Sequence, residues 1–219
     1  MNTTPAPSQN RQWDVDATKD WIVSRAKPLS FIGGGIVVLI AVVLFWRQSD
    51  RLKNERADAA LATAQSAFYS GNPTLAKSDL QKLVTRYPGT SGAAQAVMLL
   101  AQVMYGESRH DDGIKELTAA AGSAPAQFVA AIEELIASGY ADTKRYDDAA
   151  SHFLKAAERT TYSIEKDVFR ADAARMYQLA GKTAEARKLW EPLAANRESP
   201  VLNEAKVRLG EIDSKAASK

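Results

Sequence analysis

Residues 70–88 read SGNPTLAKSDLQKLVTRYP, and the places of Gly71, Ala76, Leu80, Leu83 and Pro88 within them set the frame for most of the chain. A turn glycine, a small residue five places on, then large apolar residues four and seven places later describe a turn entering an amphipathic helix. The frame recurs three more times. The small residue is Ala76, Gly113, Ala149 and Ala186, at spacings of 37, 36 and 37. Four residues later stand Leu80, Leu117, Phe153 and Trp190, and three beyond those Leu83, Ala120, Ala156 and Leu193. Twelve residues before each small residue is an alanine: Ala64, Ala101, Ala137 and Ala174. Three after those come Ala67, Met104, Tyr140 and Tyr177.

Helix-pair packing explains such a register. Two antiparallel helices joined by a short turn approach closely only where side chains are small, and the apolar residues one turn on fill the space before the next pair. The expected repeat-packing set is therefore Ala64, Ala76, Leu80, Ala101, Gly113, Leu117, Ala137, Ala149, Phe153, Ala174, Ala186 and Trp190. VLNEAKVRLGEID, residues 201–213, is expected as a final helix that shields the last apolar face.

Upstream lies PLSFIGGGIVVLIAVVLFWRQ, residues 28–48. Between Lys27 and Arg47 there are 19 residues without a charge. A helix of that length covers about 28 Å, close to the hydrocarbon thickness of a bilayer. Cleavable signals have shorter apolar cores ending in small residues, whereas this one ends Leu44-Phe45-Trp46-Arg47. A single uncleaved transmembrane helix over 29–46 is expected, with Trp46 and Trp21 at the two interfaces. Ser30 and Gly34 form a small-xxx-small pair that suits helix contact, though glycine facing lipid fits equally. Charge leaves orientation open: Lys19, Arg25 and Lys27 flank one side, and Arg47, Arg51, Lys53 and Arg56 the other. Residues 1–12 are polar with prolines, and Asp14 to Lys27 suits a short surface helix presenting Val15, Trp21 and Ile22, or simply the start of the spanning helix.

Composition excludes several function classes. There is no cysteine, so neither disulfides nor thiolate chemistry is available. Net charge is +2, and beyond Trp46 there are 24 Lys/Arg against 23 Asp/Glu, which argues against a nucleic-acid partner. Two histidines, His110 and His152, are the only imidazoles. His110 precedes Asp111 and Asp112, but Asp147 and Asp148 recur at the repeat period, so helix-start carboxylates explain both pairs. His152 is expected to face solvent. No phosphate loop, nucleophile elbow or zinc spacing is present. The expectation is therefore no catalytic residue, no metal, no cofactor and no enzymatic activity.

The frame resembles the tetratricopeptide repeat. Its signature is carried by Ala64, Ala76, Leu80, Leu83 and Pro88, then by Ala101, Gly113, Leu117, Ala120 and Pro125. Ala137, Tyr140, Ala149, Phe153 and Ala156 follow, and then Ala174, Tyr177, Gly181, Ala186, Trp190 and Leu193. The period exceeds the usual 34 or so, the third repeat lacks a closing proline, and Pro200 comes two places late in the fourth. The fold class expected is all-α: one amino-terminal transmembrane helix, an α-solenoid of about four such hairpins, and a capping helix.

The whole layout, with GKTAEARKLWEPL at residues 181–193, resembles the YfgM family, ancillary subunits of the SecYEG translocon. The resemblance implies a cytoplasmic tail over 1–28, a span over 29–46 and a periplasmic repeat domain over 47–219 in a bacterial inner membrane. It implies as partners the SecYEG translocon, a membrane-anchored periplasmic chaperone or prolyl isomerase, translocating polypeptides, and the lipid bilayer. A tethered scaffold for envelope assembly or division without translocon contact is the alternative; an enzyme or channel subunit is a third.

In a repeat superhelix the first helices line a concave face. The residues expected there are Leu61, Gln65, Phe68 and Tyr69, then Met98, Gln102 and Tyr105, then Arg175 and Gln178. The apolar members could form an adaptable groove for an extended or helical segment, or equally be ordinary packing between repeats. In the third repeat the matching positions, Glu134, Ser138 and Asp142, are polar, so any apolar groove is expected only in the amino-terminal half.

Overall fold

The computed structural model describes the backbone of residues 15–217 and the side chains of residues 36–215. Among the described residues there are nine helices: α1 (Val15–Tyr69), α2 (Pro73–Arg86), α3 (Ser91–Gly106), α4 (His110–Ala121), α5 (Ala126–Asp142), α6 (Tyr146–Arg159), α7 (Ser163–Leu179), α8 (Thr183–Ala195) and α9 (Leu202–Ala217). The chain divides into two units, Met1–Arg51 and Leu52–Lys219.

In the first unit the described side chains of α1 carry an apolar run. Ile36 to Trp46 are all exposed, with Phe45 and Trp46 about 70% so (72% and 67%). Among the described residues, no helix is long and apolar enough to cross a membrane. The side chains at 29–35 of the expected span lie outside them. So do residues 1–14, the surface face of Val15, Trp21 and Ile22, and the Ser30–Gly34 pair.

In the second unit α2 to α9 stack in chain order, each against its sequence neighbours, and the end of α1 joins through the first core cluster. The core falls into four apolar clusters, and each is made by one second helix held between two first helices. Leu80 and Leu83 of α2 pack against Leu61 and Ala64 of α1 and Ala96, Leu100 and Met104 of α3. Ile114 and Leu117 of α4 lie between Val97 and Ala101 of α3 and Ile132 and Ile136 of α5. Ala150, Phe153 and Ala157 of α6 meet Ala137 of α5 and Phe169 and Ala173 of α7. Ala186, Trp190 and Leu193 of α8 pack between Ala171 and Ala174 of α7 and Ala205 and Ile212 of α9. All twelve residues expected at the packing positions are buried.

Each hairpin closes in the same way. The residue five places before the small residue is left-handed: Gly71 (φ 76°), Ser108 (φ 61°), Lys144 (φ 60°) and Gly181 (φ 76°). The next residue's N–H donates back across the helix end, Asn72 to Ala67, Arg109 to Met104, Arg145 to Tyr140 and Lys182 to Tyr177, at 3.0, 2.8, 2.8 and 2.8 Å. This is the Schellman closure, which satisfies carbonyls that the helix end would strand. Glycine adopts the left-handed region at no steric cost, so the turn is visible at Gly71 and Gly181 and hidden at Ser108 and Lys144.

Caps at the other ends follow from side-chain chemistry. Asn72 accepts from the Leu75 N–H at 3.1 Å, with Pro73 in the first helical turn. Buried Thr90 accepts from the Ala93 N–H at 3.1 Å and donates to the Tyr87 carbonyl at 2.7 Å. Gly92 lets α3 come against α1, since a Cβ there would lie 2.9 Å from the Ala57 carbonyl carbon. The final helix begins at Leu202, not Val201, and continues to Ala217.

Candidate functional site

The first helices of the pairs supply the candidate face, and the structure assigns its expected members different tasks. Leu61 is buried in the first core cluster. Gln65 and Met98 are half-buried, and Gln102 is exposed. Phe68 and Tyr69 end α1 in an edge-on pair with ring centres 6.1 Å apart, and Tyr69 is 85% exposed.

Tyr105 belongs to the packing between hairpins. Its hydroxyl donates to the Leu135 carbonyl of α5 at 3.0 Å, and its ring stacks on His110 at 5.3 Å. Two glycines make room for it: a Cβ on Gly113 or on Gly139 would come within 2.5 Å of the ring or the hydroxyl. Burial, followed by the charge of Asp142, pushes the phenol well above the ordinary tyrosine range. It is a neutral hydrogen-bond donor and a wedge.

Arg175 and Gln178 are likewise engaged inside the stack. Arg175 forks onto Glu204 of α9, Nε to Oε1 at 2.7 Å and Nη2 to Oε2 at 2.5 Å, and its Nη1 also pairs with Asp172. Gln178 Oε1 accepts from the indole N–H of fully buried Trp190 at 3.1 Å. Trp190 needs a partner for its N–H in an apolar core, and Gln178 is it. The Arg175 fork holds Glu204 below the usual carboxylate range, whereas desolvation lifts Asp172 despite Arg175.

Both histidines sit at joints between helices. His110 Nε2 lies 3.4 Å from an Asp142 carboxylate oxygen. His152, expected in solvent, is instead half-buried, its Nδ1 2.6 Å from Glu133 Oε2 and its ring against Tyr140. The register of α6 turns His152 towards α5, which the apolar frame alone did not reveal. Among the described residues, no group of His, Asp and Glu could hold a metal ion.

The paired aspartates do more than start helices. Asp112 pairs with Arg109 at 2.6 Å and Asp148 with Arg145 at 3.0 Å, each within one turn. Asp111 and Asp147 reach the next hairpin, to Arg145 at 3.7 Å and Lys182 at 2.8 Å. Lys77 and Glu107 make the equivalent link one step earlier, at 2.5 Å. A ladder of ion pairs thus follows the turn edge of the stack. Sequence spacing carried the signal, since Arg109, Arg145 and Lys182 stand at one repeat position.

One cleft opens on the third and fourth hairpins. It measures about 470 Å³ and lies between α5 and the α6–α7 turn, bounded by Ala130, Ala131, Glu134, Tyr162, Glu165 and Phe169. Glu165 accepts from the Thr160 hydroxyl at 2.6 Å. Partial desolvation, then the like charges of Asp172 and Glu165, hold Glu134 above the usual carboxylate range.

The comparisons with known proteins agree with this architecture. A family described as tetratricopeptide repeat-like domain matches residues 19–212. A crystal structure of TPR-like repeats from a candidate kinesin light chain of Podosopora anserina is similar in fold, with TM-score 0.55 and 14% identity. A single-substitution variant of that same protein gives TM-score 0.55 and 13% identity, and in each case the match covers 76% of this chain and 89% of the other. No curated protein matches the sequence.

Proposed function

The chain belongs to the tetratricopeptide repeat-like domain family, and from that premise we propose that it is a non-enzymatic, membrane-tethered interaction protein. In this reading it is an ancillary subunit of the SecYEG translocon. Its repeat unit recruits or assists a membrane-anchored periplasmic chaperone or prolyl isomerase as polypeptides emerge. The observation that carries the tether is the exposed run from Ile36 to Trp46 on α1, followed at once by Arg47. Eleven successive side chains with no polar face suit lipid far better than water. The stack of hairpins supports the interaction role, because such arrays offer long surfaces and few enclosed pockets. The likeness of layout and of residues 181–193 to the YfgM family favours the translocon over an envelope scaffold.

Protease protection tests the topology. With an epitope after Lys219, digestion from outside intact spheroplasts is expected; protection would place the repeats in the cytoplasm and end the translocon reading. Detergent extraction tests the partner. Recovery of SecY with the tagged chain is expected, whereas recovery of cell-wall or outer-membrane factors alone would favour the scaffold.

A further inference from the structure

The cleft between α5 and the α6–α7 turn combines an apolar lining with two carboxylates, Glu134 and Glu165, against one cation, Arg159. Ala130, Ala131, Tyr162 and Phe169 give its apolar lining, Phe169 only 7% exposed and Tyr162 68%. Its volume, about 470 Å³, accommodates one or two side chains of a docked segment. Glu134 and Glu165, both exposed, line it too, and the charge of Asp172 acts on Glu134. Arg175, the cation beside Asp172, is already committed to Asp172 and Glu204. Among the described residues, no lysine or arginine pairs with Glu134. Glu165 has the Thr160 hydroxyl, a dipole that leaves its charge in place. Two carboxylates lining one cleft beside apolar surface repel one another, and a cation brought between them is favoured by both.

We propose that this cleft docks a segment of a protein partner that sets an apolar side chain on Phe169 and a lysine or arginine beside Glu134 and Glu165. Charge complementarity selects the occupant. An acidic segment meets two carboxylates against the single Arg159 guanidinium, and an uncharged apolar one leaves those carboxylates without a partner. Arg159, on the wall of the same cleft, makes no ion pair among the described residues and can donate to the segment's main-chain carbonyls. The proposal rests on the interaction-module reading and names the chemistry of the partner for one part of its surface.

Fluorescence anisotropy on the full chain in phosphatidylcholine nanodiscs tests it, with empty discs as the blank. The probe is a short labelled peptide centred on Lys-Leu-Phe-Lys, beside counterparts with Gln or Glu for both lysines. The lysine peptide is expected to bind, the Glu counterpart to fail, and the paired substitution Glu134→Gln with Glu165→Gln to weaken binding about tenfold. Glu116→Gln, outside that set of lining residues, should leave binding unchanged, and neither variant should melt below the parent. Equal binding by the Glu134→Gln/Glu165→Gln protein, or preference for the Gln or Glu peptide, would overturn the proposal. Binding of none of the three would overturn it too, while SecY recovery in the extraction experiment would still uphold the broader reading.

Discussion

Lys144 and Ser108 hold a backbone conformation that their side chains disfavour, at positions where Gly71 and Gly181 serve the same turn. Removing the Cβ relieves about 1–2 kcal/mol of left-handed strain and costs about 0.5–1 kcal/mol in unfolded-chain freedom. Ser108→Gly and Lys144→Gly should therefore each raise the melting temperature, by the equivalent of about 0.5–1 kcal/mol. An unchanged or lower midpoint in a circular-dichroism melt would show the strain to be absent. Gly139→Ala has the opposite sign, because the new methyl meets the Tyr105 hydroxyl that bonds to Leu135. Overpacking of that kind costs about 1–3 kcal/mol, and pairing it with Tyr105→Phe should recover part of the loss. At this scale the sequence was partly legible. The alanines of the frame announce themselves, since only small residues fit at a crossing. A left-handed serine or lysine does not, because nothing in its chemistry predicts φ > 0. Tyr105 was ambiguous for a different reason: an aromatic at that position packs or binds according to whether its neighbours are glycines on the adjoining helices. Gly113 was in the frame, but Gly139 lies on the next first helix, and only the fold brings them to one ring.

At the scale of the element, α9 is the instructive case. It adds Ala205 and Ile212 to the cluster around Trp190 and takes the Arg175 fork through Glu204. Arg175 lowers the Glu204 pKa in the folded state, so this contact stabilises above the ordinary carboxylate range and is lost as pH falls through the folded value. Glu204→Gln should lower the melting temperature at neutral pH and make little difference once the medium is acid enough to protonate Glu204. Glu134 behaves inversely. Its folded pKa is raised, so its charge opposes folding at neutral pH, and Glu134→Gln should raise the melting temperature there, with the gain vanishing in acid. The crossed pH dependence of the two variants, measured by thermal melts from neutral to acid pH, checks both signs together. The helix itself was legible from its periodicity to within one residue at its start. Glu204 was not, because an ion pair between residues 29 apart leaves no local pattern.

At the scale of the whole molecule, the second unit has four cores in series, each confined to three consecutive helices or segments of them. Damage should stay near where it is inflicted. Trp190→Ala, costing about 3–5 kcal/mol, is expected to abolish amide-exchange protection in α8 and α9 and leave α3 and α4 close to the parent. Uniform loss across all helices would show one cooperative core instead. The tetratricopeptide frame made this serial order readable in advance, since stacking follows from the period itself. The shared middle helices carry one more consequence. Because α3, α5 and α7 each serve two cores at once, such a gene can lengthen or shorten without disturbing its neighbours only in steps of one full period, the 36 or 37 residues between successive small positions. Smaller insertions must hide in the turns, so over evolutionary time the protein's reach is quantised while its loops are free to drift.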